Sequence, residues 1–516
     1  MKHDFGSSRW RRFPSPRAAF GVASVLVVAR ASLAAPREAP QAAATSGARP
    51  ESAPPGAVVV PAPGSAELLA RLRARVAQPG GLTSTDVGRR AVVTSTEDRS
   101  READVASAGA EVLRADVGYY PRLTVTARYT RQSPITPPSL GLVAVPVDQT
   151  VPPRTPVTNV VAFPLSFPVV LDNYMLQANV VVPLSDYFLR IGQTRAAALS
   201  NQEASAITRE ATRRTVATQA KLLYYTWARN LMQEAVTEQS VEQARWHLEL
   251  TRAGRDAGRT PDVEVVRAES ALASAELLNQ RTNNAAIAAE ERLRTVLHDS
   301  SGARYRIGED LLTPLPSAPV EGAAVLYAEA LRKRPEMRAF ARSDAALRAQ
   351  RTATESTGLP RLDAFGNGYV ANPNPRIFPQ REEWKATWDV GVQLAWSPND
   401  LGGSDASTRS LDAARKKLDA ERAAVKDTLR DEISDALVAT KEADEEAESA
   451  GRGLSAAEES YRVRRDLYEL GRATQVELVD AETDVLRARL EMIQARVDAR
   501  VARVRLEHAV GRDAAP

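Results

Sequence analysis

Two periodicities share this chain. In short stretches apolar and polar residues alternate one by one; in long stretches apolar residues return every three or four positions. Leu123, Val125, Ala127 and Tyr129 alternate with Thr124, Thr126, Arg128 and Thr130. Leu176, Ala178, Val180 and Val182 enclose Gln177 and Asn179, while Trp388, Val390, Val392, Leu394 and Trp396 enclose Asp389, Gly391, Gln393 and Ala395. A period of two puts every second side chain on one face, so each stretch predicts a strand with a single apolar face. A fourth strand is expected from Leu362, and Asp363, Gly366, Asn367 and Gly368 make it the weakest of the set.

The longer period dominates the mass. Leu411, Leu418 and Val425 return every seven residues and are followed by Leu429, Ile433 and Leu437. Val476, Val479, Thr483, Leu486, Leu490, Ile493, Val497 and Val501 keep spacings of three and four, which predicts a coiled-coil seam. Alanines such as Ala271, Ala273, Ala275, Ala495, Ala499 and Ala502 leave room for close helix approach. The 71 residues from Asp400 to Gly471 span roughly 100 Å as helix at about 1.5 Å per residue. A further helix is expected over 84–118, closed by Gly118 and followed by Pro121, and a short one over 65–77.

The pattern occurs twice. Residues 97–123 are answered by 336–362: Gly118-Tyr119-Tyr120-Pro121-Arg122-Leu123 matches Thr357-Gly358-Leu359-Pro360-Arg361-Leu362. Gly258-Arg259-Thr260-Pro261-Asp262-Val263-Glu264 matches Gly471-Arg472-Ala473-Thr474-Gln475-Val476-Glu477. Each copy reads helix, strand, strand, long helix, glycine tip, long helix. Pro121 and Pro360 lie 239 residues apart, Asp186 and Asp400 lie 214 apart, and Gly258 and Gly471 lie 213 apart. The 25-residue change therefore falls between the two strands of each copy, where loop closure tolerates length. The helical hairpins keep one length, as parts spanning a fixed distance would. Pairing the copies through Pro183 and Pro398 puts the strand faces out of phase, and pairing through Asp186 and Asp400 restores them.

Composition narrows the function. With 68 basic and 65 acidic residues the net charge is +3, without a basic face for nucleic acid. There is no cysteine, which excludes disulfides, thiolate metal sites, cysteine nucleophiles and an acylated N-terminal cysteine. Arg9, Arg11, Arg12 and Arg17 precede an apolar run over 18–29 and small residues at 32–35. This is the pattern of an export signal, and the run is shorter than the roughly 20 residues of a transmembrane helix. His3, His247, His298 and His508 are isolated, and no HExxH pair or phosphate-binding glycine loop appears. Neither a metal nor a cofactor is expected, nor enzymatic chemistry. The expected organisation is an export signal over 1–34, a Pro/Ala-rich linker over 35–81, a first repeat over 82–298, a joining segment over 299–321 and a second repeat over 322–512. The fold class is α+β, mostly α, with duplicated long helical hairpins and four strands.

The duplicated order of Tyr-Pro-Arg-Leu strand, apolar strand ending Pro-x-x-Asp, long helix and Gly-Arg tip resembles the TolC-like outer-membrane efflux family over about residues 82–512. The resemblance implies a homotrimer in which each chain gives four strands to one shared 12-stranded barrel in outer-membrane lipid. Its helices would form a tunnel through the periplasm. Physical chemistry agrees, since only closed barrels or helices span lipid without orphaned backbone groups. The chain would then be the duct of a tripartite efflux or type I secretion system, with an inner-membrane transporter and a periplasmic adaptor as partners. Adaptor-docking tips carry over to Gly258, Arg259, Thr260, Asp262, Gly471, Arg472 and Thr474. Gln475 stands where the first tip has Asp262, a departure expected to weaken the second helix cap. A periplasmic constriction carries over to Glu458, Glu459, Arg462 and Asp466, for which plain solvated helix surface stays open. The alternative class is a periplasmic adaptor or structural coiled-coil protein. Such proteins carry one helical hairpin, and this chain has two.

Overall fold

The structure, a computed structural model of the chain, describes residues 65–134, 141–146, 160–164, 169–316 and 321–513. The expected export signal and the linker up to residue 64 lie outside the described residues.

The first copy begins with α2 (Ser84–Thr94) and α3 (Thr96–Val117), after a preceding helix α1 (Ser65–Arg75). Strands β1 (Arg122–Arg131), β2 (Leu142–Pro146), β3 (Val160–Pro164) and β4 (Asp172–Val182) follow, then α4 (Leu184–Leu189), α5 (Ile191–Asp256) and α6 (Asp262–Leu297). The second copy is α7 (Ala323–Lys333), α8 (Pro335–Glu355), β5 (Arg361–Asn372), β6 (Lys385–Ala395), α9 (Pro398–Glu469) and α10 (Gln475–Val510). Adding 239 to the bounds of α2 gives those of α7, and adding 213 to those of α6 gives those of α10. The single helix expected over 84–118 is two. Ser95 accepts a hydrogen bond from the Asp98 backbone and so caps a new helix start.

The strands order as β1-β4-β5-β6, all antiparallel, while β2 and β3 make a separate two-stranded ribbon inside the longer loop. That ribbon occupies part of the 25 extra residues of the first copy. Leu123 pairs with Val180, which pairs with Gly366, which pairs with Val390. The apolar rows therefore align on one face, in the register that the Asp186–Asp400 correspondence gives, and this face is open: Trp388, Val390, Val392 and Leu394 are among the most exposed apolar residues of the chain. The opposite face is polar, with Asn179 donating to Asn367 at 2.7 Å and Asn367 donating to Asp389 at 3.0 Å. β5, the weakest pattern, is a full 12-residue strand. On the polar side Phe365 of β5 faces Gly391 of β6: a Cβ on Gly391 would lie 2.8 Å from the Phe365 ring, so Gly391 makes room for it.

Away from the sheet the helices form one layer. Near the strands α3 packs on α5, and α8 lies between α5 and α9; farther out α6 packs on α5, and α10 lies between α5 and α9. At about 1.5 Å per residue the 66 residues of α5 and 72 of α9 run roughly 100 Å, and the 36 of α10 about half that. Because α10 has neighbours on both sides it buries two stripes, one through Leu478, Ala481, Val485, Met492 and Ala499, another through Ile493 and Val497. Val476 and Thr483 of the expected seam are exposed. Ala443, Ala499 and Ala502 form one contact cluster, where small side chains let α9 and α10 close together.

Residues 65–81, assigned from sequence to the linker, are instead part of the largest core. Leu68, Leu72 and Val76 are buried with Tyr224, Trp227 and Met232 of α5 and with Ile307 and Leu311 of the segment joining the copies. Gly81 and Gly308 approach backbone to backbone; a Cβ on Gly81 would lie 2.6 Å from the Gly308 nitrogen. Arg500 of α10 donates to the carbonyls of Asp310 and Thr313 at 2.8 Å each, which ties the joining segment to the second hairpin.

Candidate functional site at the hairpin tips

Both tips end their first helix in the same way. Gly258 has φ of 70° and Gly471 of 69°, a left-handed conformation that glycine adopts without strain. The Arg259 N–H donates back to the Gly254 carbonyl at 2.9 Å, and the Arg472 N–H to the Leu467 carbonyl at 2.8 Å. These are Schellman closures, which satisfy carbonyls that the helix end would leave orphaned. Arg259, Asp262, Arg472 and Thr474 are exposed at the tips.

The tips differ in how the second helix starts, against expectation. Thr474 is the cap of α10: its hydroxyl accepts from the Glu477 backbone while Glu477 reaches back to the Thr474 N–H at 2.8 Å. This bond holds the Glu477 carboxyl below its ordinary range. At the first tip Pro261 takes that place and supplies no side-chain cap. The second tip is the better capped, because the residue that matters is Thr474 and not its neighbour Gln475. The first tip closes by packing instead: the Thr260 hydroxyl sits where a side chain on residue 254 would project, in the space that Gly254 leaves free. The second copy pairs Leu467 with Ala473 at the matching positions.

Gln475 has another task. Its amide lies 3.0 Å from His247 Nε2 and 3.2 Å from Thr251 Oγ1, both on α5. The two hairpins are thus joined by polar contacts near their ends. His247 is buried, which lowers its pKa. The sequence drew attention to Gln475 only as a departure from the first copy, and nothing in the pattern named its partners.

The four constriction candidates lie on different sides of α9. Glu459 and Arg462 pair at 2.6 Å and Arg462 and Asp466 at 3.4 Å, an exposed chain along one face. The Arg462 bond lowers the Glu459 pKa. Glu458 turns inward to Arg489 of α10 at 3.2 Å. Arg489 is 6% exposed and also reaches Gln239 of α5 at 3.5 Å. About two turns nearer the tip along α10, burial pushes the Glu482 carboxyl up to about 7 beside the Tyr461 hydroxyl, which is itself pushed up to about 12. Sequence reading missed Arg489, Tyr461 and Glu482, since each looks like an ordinary member of an amphipathic helix. Among the described residues no cluster of three or more His, Asp or Glu has the placement to hold a metal.

A sheet with one open apolar face, two unpaired edge strands and duplicated helices of about 100 Å defines the class: an outer-membrane channel protein with a helical extension. Trp384 and Trp396 flank β6, and its 11 residues tilted about 45° rise roughly 26 Å, close to the approximately 25 Å apolar band of such barrels. The chain belongs to the outer membrane efflux protein family, whose model matches residues 99–297 and 326–512. Membership removes the adaptor alternative. A probable efflux pump outer membrane protein, TtgC of Pseudomonas putida, is 23% identical over 333 residues, spanning 63% of this chain and 66% of that protein. Among solved structures, CusC matches with a TM-score of 0.66 at 14% identity over 83% of this chain and 92% of its own. The outer-membrane channel OprN matches with a TM-score of 0.65 at 18% identity over 90% and 99%. These relatives are channels, not enzymes.

Proposed function

We propose that three copies of this chain close one barrel in the outer membrane and that their helices form a duct through the periplasm. The observation that carries this reading is the sheet itself. Four strands cannot close alone, β1 and β6 each leave an edge unpaired, and the open apolar face requires lipid. Twelve strands from three chains remove every edge.

The duct is passive. An inner-membrane transporter supplies the energy, and a periplasmic adaptor docks on the tips at Gly258, Arg259, Thr260 and Asp262 and at Gly471, Arg472 and Thr474. Exposed arginines on rigidly closed turns suit an acidic or hydrogen-bonding partner surface. Glu459, Arg462 and Asp466 form a charge chain at the periplasmic end, and Glu458 acts through Arg489 by holding α9 to α10. The cargo follows from the transporter. Three equally similar relatives illustrate this, one of them named for antibiotic efflux and another for toluene efflux.

The mass of the detergent-extracted particle tests the reading. Three chains per particle in the outer-membrane fraction support it, and a monomer that stays soluble without detergent overturns it. Arg259→Glu with Arg472→Glu leaves the trimer intact and abolishes co-purification with the adaptor; undiminished adaptor capture removes these tips from docking.

A further inference from the structure

The loop between β5 and β6 folds inward. Asn374, 3% exposed, donates to the Lys385 carbonyl at 3.0 Å and to Thr387 Oγ1 at 3.2 Å, and accepts from the Arg376 N–H at 3.0 Å. These bonds turn the chain back over the polar face of its own two strands. Arg376 then lies with its guanidinium 4.2 Å from the centre of the Tyr369 ring and 2.6 Å from Asp389. Tyr369 and Asp389 belong to the polar face, since Tyr369 pairs with Thr387 and Asp389 with Asn367. Asp389 lies four residues along β6 from Lys385, so the guanidinium reaches roughly 13 Å below the strand rim at about 3.3 Å per residue.

We propose that Arg376, Asp389 and Tyr369 clip this loop to the wall of the pore and form its outer constriction. The inference rests on the duct reading, which makes the polar face the lumen. An ion pair on an open surface is weak, but here three restraints act on one short segment: the carboxylate, the aromatic face and the Asn374 bonds. Asp389 is also fixed from behind, because Asn367 donates to it and Asn179 donates to Asn367, a hydrogen-bonded line across β4, β5 and β6. Below it, Phe365 fills the space over Gly391. Three such loops around one axis narrow the mouth, and each carries a positive group already matched by a negative one. A solute leaving the duct meets guanidinium–carboxylate pairs and aromatic rings rather than a bare ring of one charge.

The absence of cysteine allows a direct test. Gln393 lies on the polar face below the clip, paired with Asp363. A bulky membrane-impermeant maleimide added to intact cells reaches Gln393→Cys from outside only by passing the loops. Adding Arg376→Ala, or separately Asp389→Asn, speeds labelling about tenfold, the scale of one ion pair with one cation–π contact. Rates unchanged within about twofold in both backgrounds, on that same scale, overturn the clip. A Lys385→Cys probe at the rim labels in every background and reports that each variant assembles. If Lys385→Cys stays silent in the otherwise unaltered chain, this end does not face the medium, and the duct reading fails rather than the clip.

Discussion

Replacing Val390 by Arg tests which face of the sheet meets lipid. Val390 is the central residue of β6, 72% exposed in the single chain, and stands in a row with Leu123, Val180 and Gly366. Arginine on the lipid face at the bilayer midplane costs about 2–4 kcal/mol, against about 0–1 near the interfaces. At 1.36 kcal/mol per factor of ten, that is roughly a 30- to 1000-fold loss in folding equilibrium per chain. A trimer carries the charge three times, about 6–12 kcal/mol, comparable to the whole stability of a small domain. The control is Thr126→Arg, one residue along β1 from Val125 and on the polar face opposite Gln177. There the guanidinium enters water, and the cost is below about 1 kcal/mol. The assay is the amount of trimer in the outer-membrane fraction and the temperature at which it dissociates. Val390→Arg eliminates the trimer and Thr126→Arg leaves it. If the two variants assemble equally, or if the order is reversed, the assignment of faces is wrong.

Other consequences follow from the helices. Thr474→Ala removes the hydroxyl half of the capping box and lowers stability by about 1 kcal/mol, whereas Thr260→Ala changes it less because Pro261 is the cap of the first tip; denaturant unfolding of the detergent-solubilised protein compares them. Glu458→Ala leaves the buried Arg489 without its carboxylate and destabilises the tip region by about 3 kcal/mol, while Glu459→Ala on the exposed, solvent-screened side costs much less; hydrogen exchange at the ends of α9 and α10 reads the difference. Burial raises Glu482 from its ordinary 4.5 to about 7, so the folded chain holds a proton that the unfolded chain releases. The resulting destabilisation is absent below about 4.5, grows as pH rises to about 7, and is constant above. Glu482→Gln flattens that slope in melting temperatures taken between these limits, and a slope that survives the change excludes Glu482 as its source.

Much of the fold was legible because it follows from periodicity and arithmetic. The offsets of 239 and 213 carry α2 onto α7 and α6 onto α10, and the alternation from Trp388 to Leu394 marks both β6 and its open face. The change from 214 at Asp186 to 213 at Gly258 leaves one extra residue in the first copy. The structure has a break there, at Arg190 between α4 and α5, where the second copy runs through as α9. Other features were hidden because they depend on contacts between distant segments. Leu68, Leu72 and Val76 look like the end of a linker until α5 and the joining segment supply the rest of their core. The seam through Val476 and Thr483 assumed one partner for α10, and α10 has two. At the tips the glycines were readable from sequence, because a helix end that reverses needs a left-handed residue. Gln475 meeting His247, and Arg376 folding onto Asp389, were not, since no local pattern specifies what lies across a hairpin or under a loop.

The most direct test of the central claim is the current through a planar lipid membrane containing the purified protein. Discrete steps of uniform size are expected, one per inserted trimer, and they grow when Glu459→Ala and Arg462→Ala break the exposed charge chain near the tips. A membrane that takes up the protein and carries no stepwise current in either form would contradict that claim.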